Sequence, residues 1–291
     1  MGAPRPTDNR RIDLHVHTTA SDGDLSPRGC VEEAARAGLA AIAITDHDTT
    51  AGNAEAEARG RDLGVEVVPG VEISAEHDVL TIHLLGYYPE RDAPEFESLL
   101  EGLRDHRGQR NPRILARLAS LGCPVGYEEV LAEAGGDVVG RPHIAAVMLR
   151  KGYVGTLNEA FDRYLAKGAP AYVERAKPAP CAAVGVLLGA RAVPVLAHPG
   201  VMGARSASEV EDLVAQLAEV GLRGIEAYYH SYSAEEADVY LRLAKRYGLL
   251  VTGGTDFHGV KKPDIQMGRG LGNMRLPYEL LARVKEERER L

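Results

Sequence analysis

The segment Asp13-Leu14-His15-Val16-His17 carries two histidines at alternate positions. Alternate residues of an extended strand share a face, so the two imidazoles would project together and could grip one divalent ion. A pair of this kind, taken alone, is weak ground for a metal site, because short motifs often match by chance. This pair has company. Ser21-Asp22-Gly23 follows in a loop, Thr45-Asp46-His47-Asp48 ends a second apolar run and Pro69-Gly70-Val71-Glu72 a third. His83 lies within a fourth run, and Ala197-His198-Pro199 and Gly254-Thr255-Asp256-Phe257-His258 close two later ones. The resulting set is His15, His17, Asp22, His47, Glu72, His83, His198, Asp256 and His258, all nitrogen or carboxylate ligands and no thiolate. Such ligands suit manganese, iron or zinc, and ligand type does not choose among them; manganese is the first expectation. Nine ligands exceed the needs of one ion, so roughly two or three ions sharing a bridging carboxylate is the economical reading, and phosphoryl transfer to water is the chemistry that closely spaced ions serve best.

The runs that carry these residues are Arg11–His17, Leu39–His47, Val65–Glu72, Val79–Tyr87, Ala192–His198, Gly224–Tyr229 and Leu249–His258. Their length and β-branched content predict buried strands. Helical patterns lie between several of them, over Ser26–Ala37, Thr50–Leu63, Ser206–Val220 and Ala234–Tyr247, each followed by a glycine. Strand–helix alternation predicts an α/β fold with a mainly parallel sheet, open or closed into a barrel, and ligands at its C-terminal strand ends. From about Pro94 to Lys177 the alternation stops. That stretch predicts helices at Ala93–His106, Pro112–Leu121, Tyr127–Ala134, Arg141–Lys151 and Thr156–Leu165, then the proline-rich Lys177-Pro178-Ala179-Pro180. The expected organisation is a barrel part over residues 1–93, a helical insertion over 94–177 covering the substrate side, and a second barrel part over 178–291. A charged helix is predicted over Leu276–Leu291.

The motifs H-x-H, S-D-G, T-D-H-D, the G-V-E strand end, H-L-L-G-Y, A-H-P and the final D-x-H occur in this order across nearly the whole chain. In this the sequence resembles the polymerase and histidinol phosphatase (PHP) domain family. The resemblance implies a distorted (β/α)7 barrel with an inserted small helical domain and a trinuclear metal site. It implies that His15, His17, Glu72 and Asp256 hold one ion, that Glu72, His83 and His198 hold a second with Glu72 bridging, and that Asp22, His47 and His258 hold the third. Small PHP phosphoesterases acting on nucleotides are the most similar branch, in the insertion and in the motif Gly140-Arg141-Pro142-His143. They imply a metal-dependent phosphatase on nucleotides, with removal of the 3′-phosphate of nucleoside 3′,5′-bisphosphates first. Alternatives are a 5′–3′ exonuclease on short RNA, a histidinol-phosphate phosphatase, and a metal-stabilised binding module without turnover. The last would fit a chain that had lost ligands, and none of the nine is lost.

Arg141 and His143 open a predicted helix, where a planar guanidinium and a helix start both attract phosphate. They are the expected catalytic and substrate-binding pair, with His143 able to protonate a leaving oxygen. His230 and Ser231 follow a strand end and are the further substrate-binding residues expected. Asp13, Asp46 and Asp48 sit beside ligands and are expected to take the other ring proton of metal-bound histidines. Arg104, Arg107, Arg110, Arg113 and Arg117 recur at helical spacing, which reads as a solvated face or as a guide for anionic substrates.

The whole chain agrees with this reading. Its 291 residues suit one barrel with an insertion. A formal net charge of -8 disfavours binding along long nucleic acid and leaves room for a small phosphorylated partner, a nucleotide or short oligonucleotide. No tryptophan and only 3 phenylalanines oblige aliphatic residues to build the core. Cys30, Cys123 and Cys181 are scattered and odd in number, the N-terminus is polar without an apolar signal core, and no run reaches membrane-span length, so a reducing cytoplasmic setting without membrane contact is expected.

Overall fold

The computed structural model describes residues 10–77, 80–134, 139–173 and 177–291, with the side chains of 105–109 left aside. Eight strands form one sheet: β1 (Arg11–Val16), β2 (Leu39–Ile44), β3 (Glu66–His77), β4 (Leu80–Tyr87), β5 (Val193–Leu196), β6 (Gly224–Tyr229), β7 (Leu250–Gly254) and β8 (Leu276–Pro277). Their order is β7-β6-β5-β4-β3-β2-β1-β8. The chain just beyond β7 then returns to β1: His17 N–H donates to Phe257 O at 2.9 Å and Phe257 N–H to His15 O at 3.3 Å. The first seven strands thereby close into a barrel. Closure needs glycine at the seam, since a Cβ on Gly254 would lie 2.2 Å from the Cβ of His15.

Four pairings in the ring are parallel, and β4 runs against both β3 and β5. The expectation of a mainly parallel sheet therefore fails at one strand. The reason is local: β3 ends at His77 and β4 begins at Leu80, too short a connection for the crossover that a parallel neighbour demands. The part of the expected Val79–Tyr87 strand at Val79 lies outside the described residues.

Helices α1 (Pro27–Arg36) and α2 (Asn53–Leu63) follow β1 and β2. The Ser26 hydroxyl accepts from Gly29 N–H with Pro27 at the first helical position, and Gly64 closes α2 in the left-handed region (φ 70°). Between β4 and β5 come α3 (Pro94–Ser120), α4 (Tyr127–Ala134), α5 (Arg141–Arg150), α6 (Leu157–Ala160), a π-turn at Phe161–Leu165 and α7 (Pro180–Gly189). After β5, α8 (Ala207–Glu219) and α9 (Ala234–Tyr247) cover the barrel, and α10 (Glu279–Arg288) is the terminal helix.

Two helices differ from the sequence expectation. The predicted break between His106 and Pro112 is absent, and α3 runs through Pro112 as one helix of 27 residues. Packing overrides the proline. Phe96, Leu100 and Leu103 join the barrel's apolar cluster, whereas Ile114, Leu115 and Leu118 join a separate cluster with α4, α5 and the turn after α6, so the helix is anchored at both ends. Helix α7 was not expected at all. It is apolar at every position, so it has no polar face for periodicity to reveal.

Two arginines of α3 are clips. Arg110 is buried and its Nε donates to Val173 O at 2.8 Å, and Arg117 donates to Tyr172 O. They tie the segment after the π-turn to the helix; Arg110 is thereby buried and departs from the expected solvated face, whereas Arg117 and Arg113 stay exposed, as that face expects. The Arg107 side chain lies outside the described residues. No helix among the described residues is long and apolar enough to cross a membrane.

Candidate metal centre

Each barrel strand delivers its polar residue to the same end of the ring. β1 alternates Ile12 and Leu14 into an apolar cluster with Asp13, His15 and His17 on the other face. His47 follows β2 and bridges to Glu72 on β3. His83 lies on the reversed β4 opposite Ser74, His198 just past β5, and Asp256 and His258 just past β7. Asp22 comes from the loop after β1. All nine expected ligands fall into overlapping groups of ligand atoms: His17, Asp22, His47 and His258; His15, His17 and Asp256; His15, Glu72 and His198; His47, Glu72 and His83.

Glu72 is the hub and is fully buried. Its Oε2 lies 3.3 Å from His15 Nε2, 3.1 Å from His17 Nε2 and 3.0 Å from His47 Nδ1. Its Oε1 lies 2.8 Å from His83 Nδ1 and 2.9 Å from His198 Nε2. Despite these distances, Glu72 Oε2, His47 Nδ1 and His83 Nδ1 have no hydrogen-bond partner with acceptable geometry. Lone pairs face a common centre, as ligands of a cation do. Around His15 and His17 the spacing is also right. His15 Nε2 lies 3.1 Å from His17 Nε2 and 3.7 Å from Asp256 Oδ1, and His17 Nε2 lies 3.2 Å from Asp256 Oδ1. Ligand atoms about 2.1 Å from a cation have edges of about 3.0 Å in an octahedron and about 3.4 Å in a tetrahedron. The residues present therefore fit divalent ions.

Other contacts fix which ring nitrogen faces inward. His258 Nδ1 donates to Asp256 O at 2.8 Å, leaving Nε2 for the side of Asp22 Oδ1, 3.3 Å away. Asp256 and His198 both sit at positive φ, 51° and 25°, local strain of the kind concentrated at working sites. His15 Nδ1 donates to Glu226 Oε1 at 3.0 Å, and Glu226 Oε2 accepts from the His198 backbone N–H at 2.8 Å. Glu226 is fully buried on β6, which is not paired with β1, so this contact spans the barrel. Asp13, Asp46 and Asp48 do not take the ring protons expected of them in the hydrogen bonds seen. Asp13 holds Thr255 N–H at 2.9 Å and Gly268 N–H at 2.8 Å, Asp46 holds Thr18 and Ser21, and Asp48 holds Ser74. These carboxylates brace the loops, and Glu226 has the histidine role. Sequence reasoning missed Glu226, although a lone carboxylate inside Gly224-Ile225-Glu226-Ala227 was a signal, since a buried charge needs a partner.

Burial opposes charge on His17, but hydrogen bonds and attraction from Asp256 and Glu72 override it and push its pKa up to about 10. Burial pushes His47 down to about 3, against the attraction of Glu72 and Asp22. Burial likewise opposes ionisation of Glu72, yet His47, His83 and His15 hold it well below the usual carboxylate range. In the metal-free chain His17 is thus charged at neutral pH. Its raised pKa stabilises the fold fully below about pH 6.5, and that contribution fades as pH rises toward about 10. The lowered pKa of His47 works on the other flank: its contribution is present above about pH 6.5 and is lost as pH falls toward about 3. Ligation needs the neutral ring, so metal binding should release protons at pH 7 and tighten as pH rises toward about 10. Calorimetric titration with manganese in buffers of different ionisation enthalpy would measure it; zero proton release would contradict the assignment of His17.

A cavity of about 380 Å³ opens above the cluster. Asp22, His47, Glu72, His83, His198, Asp256 and His258 form its floor. Val201, Tyr229, Lys261 and Lys262 come from the barrel loops, and Glu133, Pro142, Ala146 and Leu157 from the helical segment. Tyr229 OH donates to Asp256 Oδ2 at 2.8 Å, and Lys262 Nζ lies 2.7 Å from the same oxygen. Neither residue stood out in the sequence. The expected substrate residues are placed differently. Arg141 Nη1 donates to Leu165 O at 2.8 Å, with its guanidinium 5.8 Å from the Phe161 ring and 5.6 Å from that of Tyr172. His143 is buried, and its Nδ1 accepts the Gly140 N–H at 3.1 Å, so a neutral ring carries its proton on Nε2. Both flank Pro142, which lines the cavity where they do not. His230 is half-buried with its ring 4.2 Å from that of Tyr229, Ser231 is exposed, and neither lines the cavity.

The model of the PHP domain matches residues 13–174. The chain belongs to the PHP family. It is 32% identical over 249 residues to a 5′–3′ exoribonuclease of Haemophilus influenzae, covering 86% of this chain and 90% of that protein. It is 32% identical over 248 residues to a 3′,5′-nucleoside bisphosphate phosphatase of Chromobacterium violaceum, covering 85% and 87%. Among solved structures, a candidate metal-dependent phosphoesterase from Bifidobacterium adolescentis superposes with a TM-score of 0.85 at 32% identity, over 97% of this chain and 98% of that one. The distorted barrel expected of a PHP protein is the fold observed.

Proposed function

We infer that this PHP chain is a metal-dependent phosphoesterase that removes a phosphate from a nucleotide, with the 3′-phosphate of a nucleoside 3′,5′-bisphosphate as its substrate group. The observation that carries this reading is Glu72, one buried carboxylate with both oxygens facing ring nitrogens from four strands or strand ends at 2.8–3.3 Å, beneath a cavity large enough for a small ligand. The overlapping groups support a trinuclear site, and manganese is the ion proposed for it first, with zinc or iron compatible with the same ligands. Bound ions would supply a water of lowered pKa and Lewis-acid stabilisation of the phosphoryl oxygens. The chain does the rest. Glu226 and the Asp256 carbonyl fix two imidazoles, Tyr229 holds Asp256, and the helical segment walls the cavity against water. Arg141 and His143 remain the groups proposed to steady phosphoryl oxygens and to protonate the leaving oxygen; to do so each would have to turn into the cavity from its contact with Leu165 O or the Gly140 N–H.

The test is phosphate release over a panel of nucleoside monophosphates, bisphosphates and histidinol phosphate, with a chelator control. Highest kcat/KM on a 3′,5′-bisphosphate, abolished by chelation, is expected. No release from any ester by metal-replete protein would leave a binding module instead. Arg141→Ala should lower kcat/KM by roughly 100-fold, as loss of one preorganised charge donor does, with metal content unchanged; wild-type-like kinetics would reduce Arg141 to a clip on Leu165. The exoribonuclease relative, at the same identity as the phosphatase, favours a second reading, trimming of short RNA. Release of mononucleotides from a 5′-phosphorylated trinucleotide faster than phosphate from a bisphosphate would establish it.

A further inference from the structure

The cavity holds a charge that the hydrolytic chemistry does not use. Lys261 ends the short turn Gly259–Lys261 beyond β7 and lines the cavity beside the metal ligands. Its Nζ donates to two neutral acceptors, Asp22 O at 3.2 Å and Gly23 O at 3.4 Å. An ammonium has three N–H donors, so one remains for a ligand. Among the described residues Lys261 makes no ion pair, unlike Lys262, whose charge is spent on Asp256 at 2.7 Å. Glu133, the acidic residue on the cavity's other side, is itself paired with Arg150. Burial pushes the Lys261 amine down while Asp22, Asp24 and Glu133 oppose it. A half-buried cation resting on carbonyls is costly to keep unless an anion joins it.

Position narrows the anion. The Asp22 carboxylate belongs to the metal group with His17, His47 and His258, and the Asp22 carbonyl holds Lys261. Asp22 therefore carries both a ligand of the floor and the carbonyl that holds the ammonium, and one cavity presents both to a ligand. A pentose bearing two phosphates would bring one to the floor and offer the other to the ammonium. Pro142, Ala146, Leu157 and Val201 add apolar wall for a base, and Val201 is 51% exposed, so this surface is open to a ligand.

We propose that Lys261 is the subsite for a second, non-reacting phosphate, which makes this chain selective for nucleotides bearing two separate phosphates over those bearing one. This rests on the phosphoesterase reading above.

The experiment compares wild type, Lys261→Met and Lys261→Arg on adenosine 3′,5′-bisphosphate and adenosine 3′-monophosphate, with metal content measured alongside. Lys261→Met should lose about 10- to 100-fold in kcat/KM on the bisphosphate, through KM, the size of one charge-assisted hydrogen bond. That fall should exceed the fall on the monophosphate by about tenfold or more, and Lys261→Arg should recover most of it, since either cation can hold a phosphate. Equal falls on both substrates, or none, would overturn the subsite. Should metal-replete wild type hydrolyse neither, the phosphoesterase reading fails, and calorimetric binding of the same bisphosphate still decides: weaker binding to Lys261→Met supports the subsite, and equal binding overturns it.

Discussion

Glu72→Gln should empty the site and leave the fold standing. The substitution keeps size and shape but removes the charge that both sides of the cluster share. The amide can offer one oxygen where two are used, at Oε1 toward His83 and His198 and at Oε2 toward His15, His17 and His47. Its NH2 would instead point a donor at ring nitrogens whose lone pairs must face a cation. Residues that only orient a ligand cost roughly 10–100-fold in metal affinity or activity when replaced. Glu72 faces the common centre itself, so kcat/KM should fall beyond that range and excess manganese should not restore it. Circular dichroism should stay native, because the apolar clusters of the barrel do not include Glu72. Retained metal and near-normal turnover would remove Glu72 from the centre.

Glu226→Gln should weaken metal binding without abolishing turnover. Glu226 accepts from two donors, the His15 ring and the His198 backbone N–H. Glutamine satisfies one with its carbonyl and confronts the other with an N–H. Either the His15 ring is released from its tautomer or the turn that carries His198 shifts. The expected cost is about 10–100-fold in apparent metal affinity, with activity recovered at high manganese. An activity titration against free manganese separates this outcome from that of Glu72→Gln; a midpoint unchanged from wild type would leave Glu226 as a packing residue.

The ligands were legible because metal chemistry leaves its residue types at strand ends, and His15, Glu72, His198 and Asp256 needed only their strands to be read. What the strands pack against was harder. Reversal of β4 is set by a connection shorter than any crossover, yet His83 still reaches the centre because a side chain can point inward from either strand direction. Helix α7 hid because a segment apolar on all sides has no period. Pro112 read as a break because propensity is local, and its neighbours in two cores are not. Glu226 and Tyr229 went unseen because they touch ligands across the barrel, at separations no local spacing encodes, 211 residues between His15 and Glu226 and 27 between Tyr229 and Asp256. Among the arginines of α3, Arg110 read as surface because spacing cannot reveal that it turns in to Val173 O.

The central claim is that side chains from both ends and the middle of the chain share cations. Metal-free protein incubated with manganese, freed of excess and analysed for metal per chain tests it most directly. About two to three ions per wild-type chain, and fewer than one in Glu72→Gln, is the predicted result. No bound manganese, zinc or iron in the wild type, or the same content in both proteins, would contradict it.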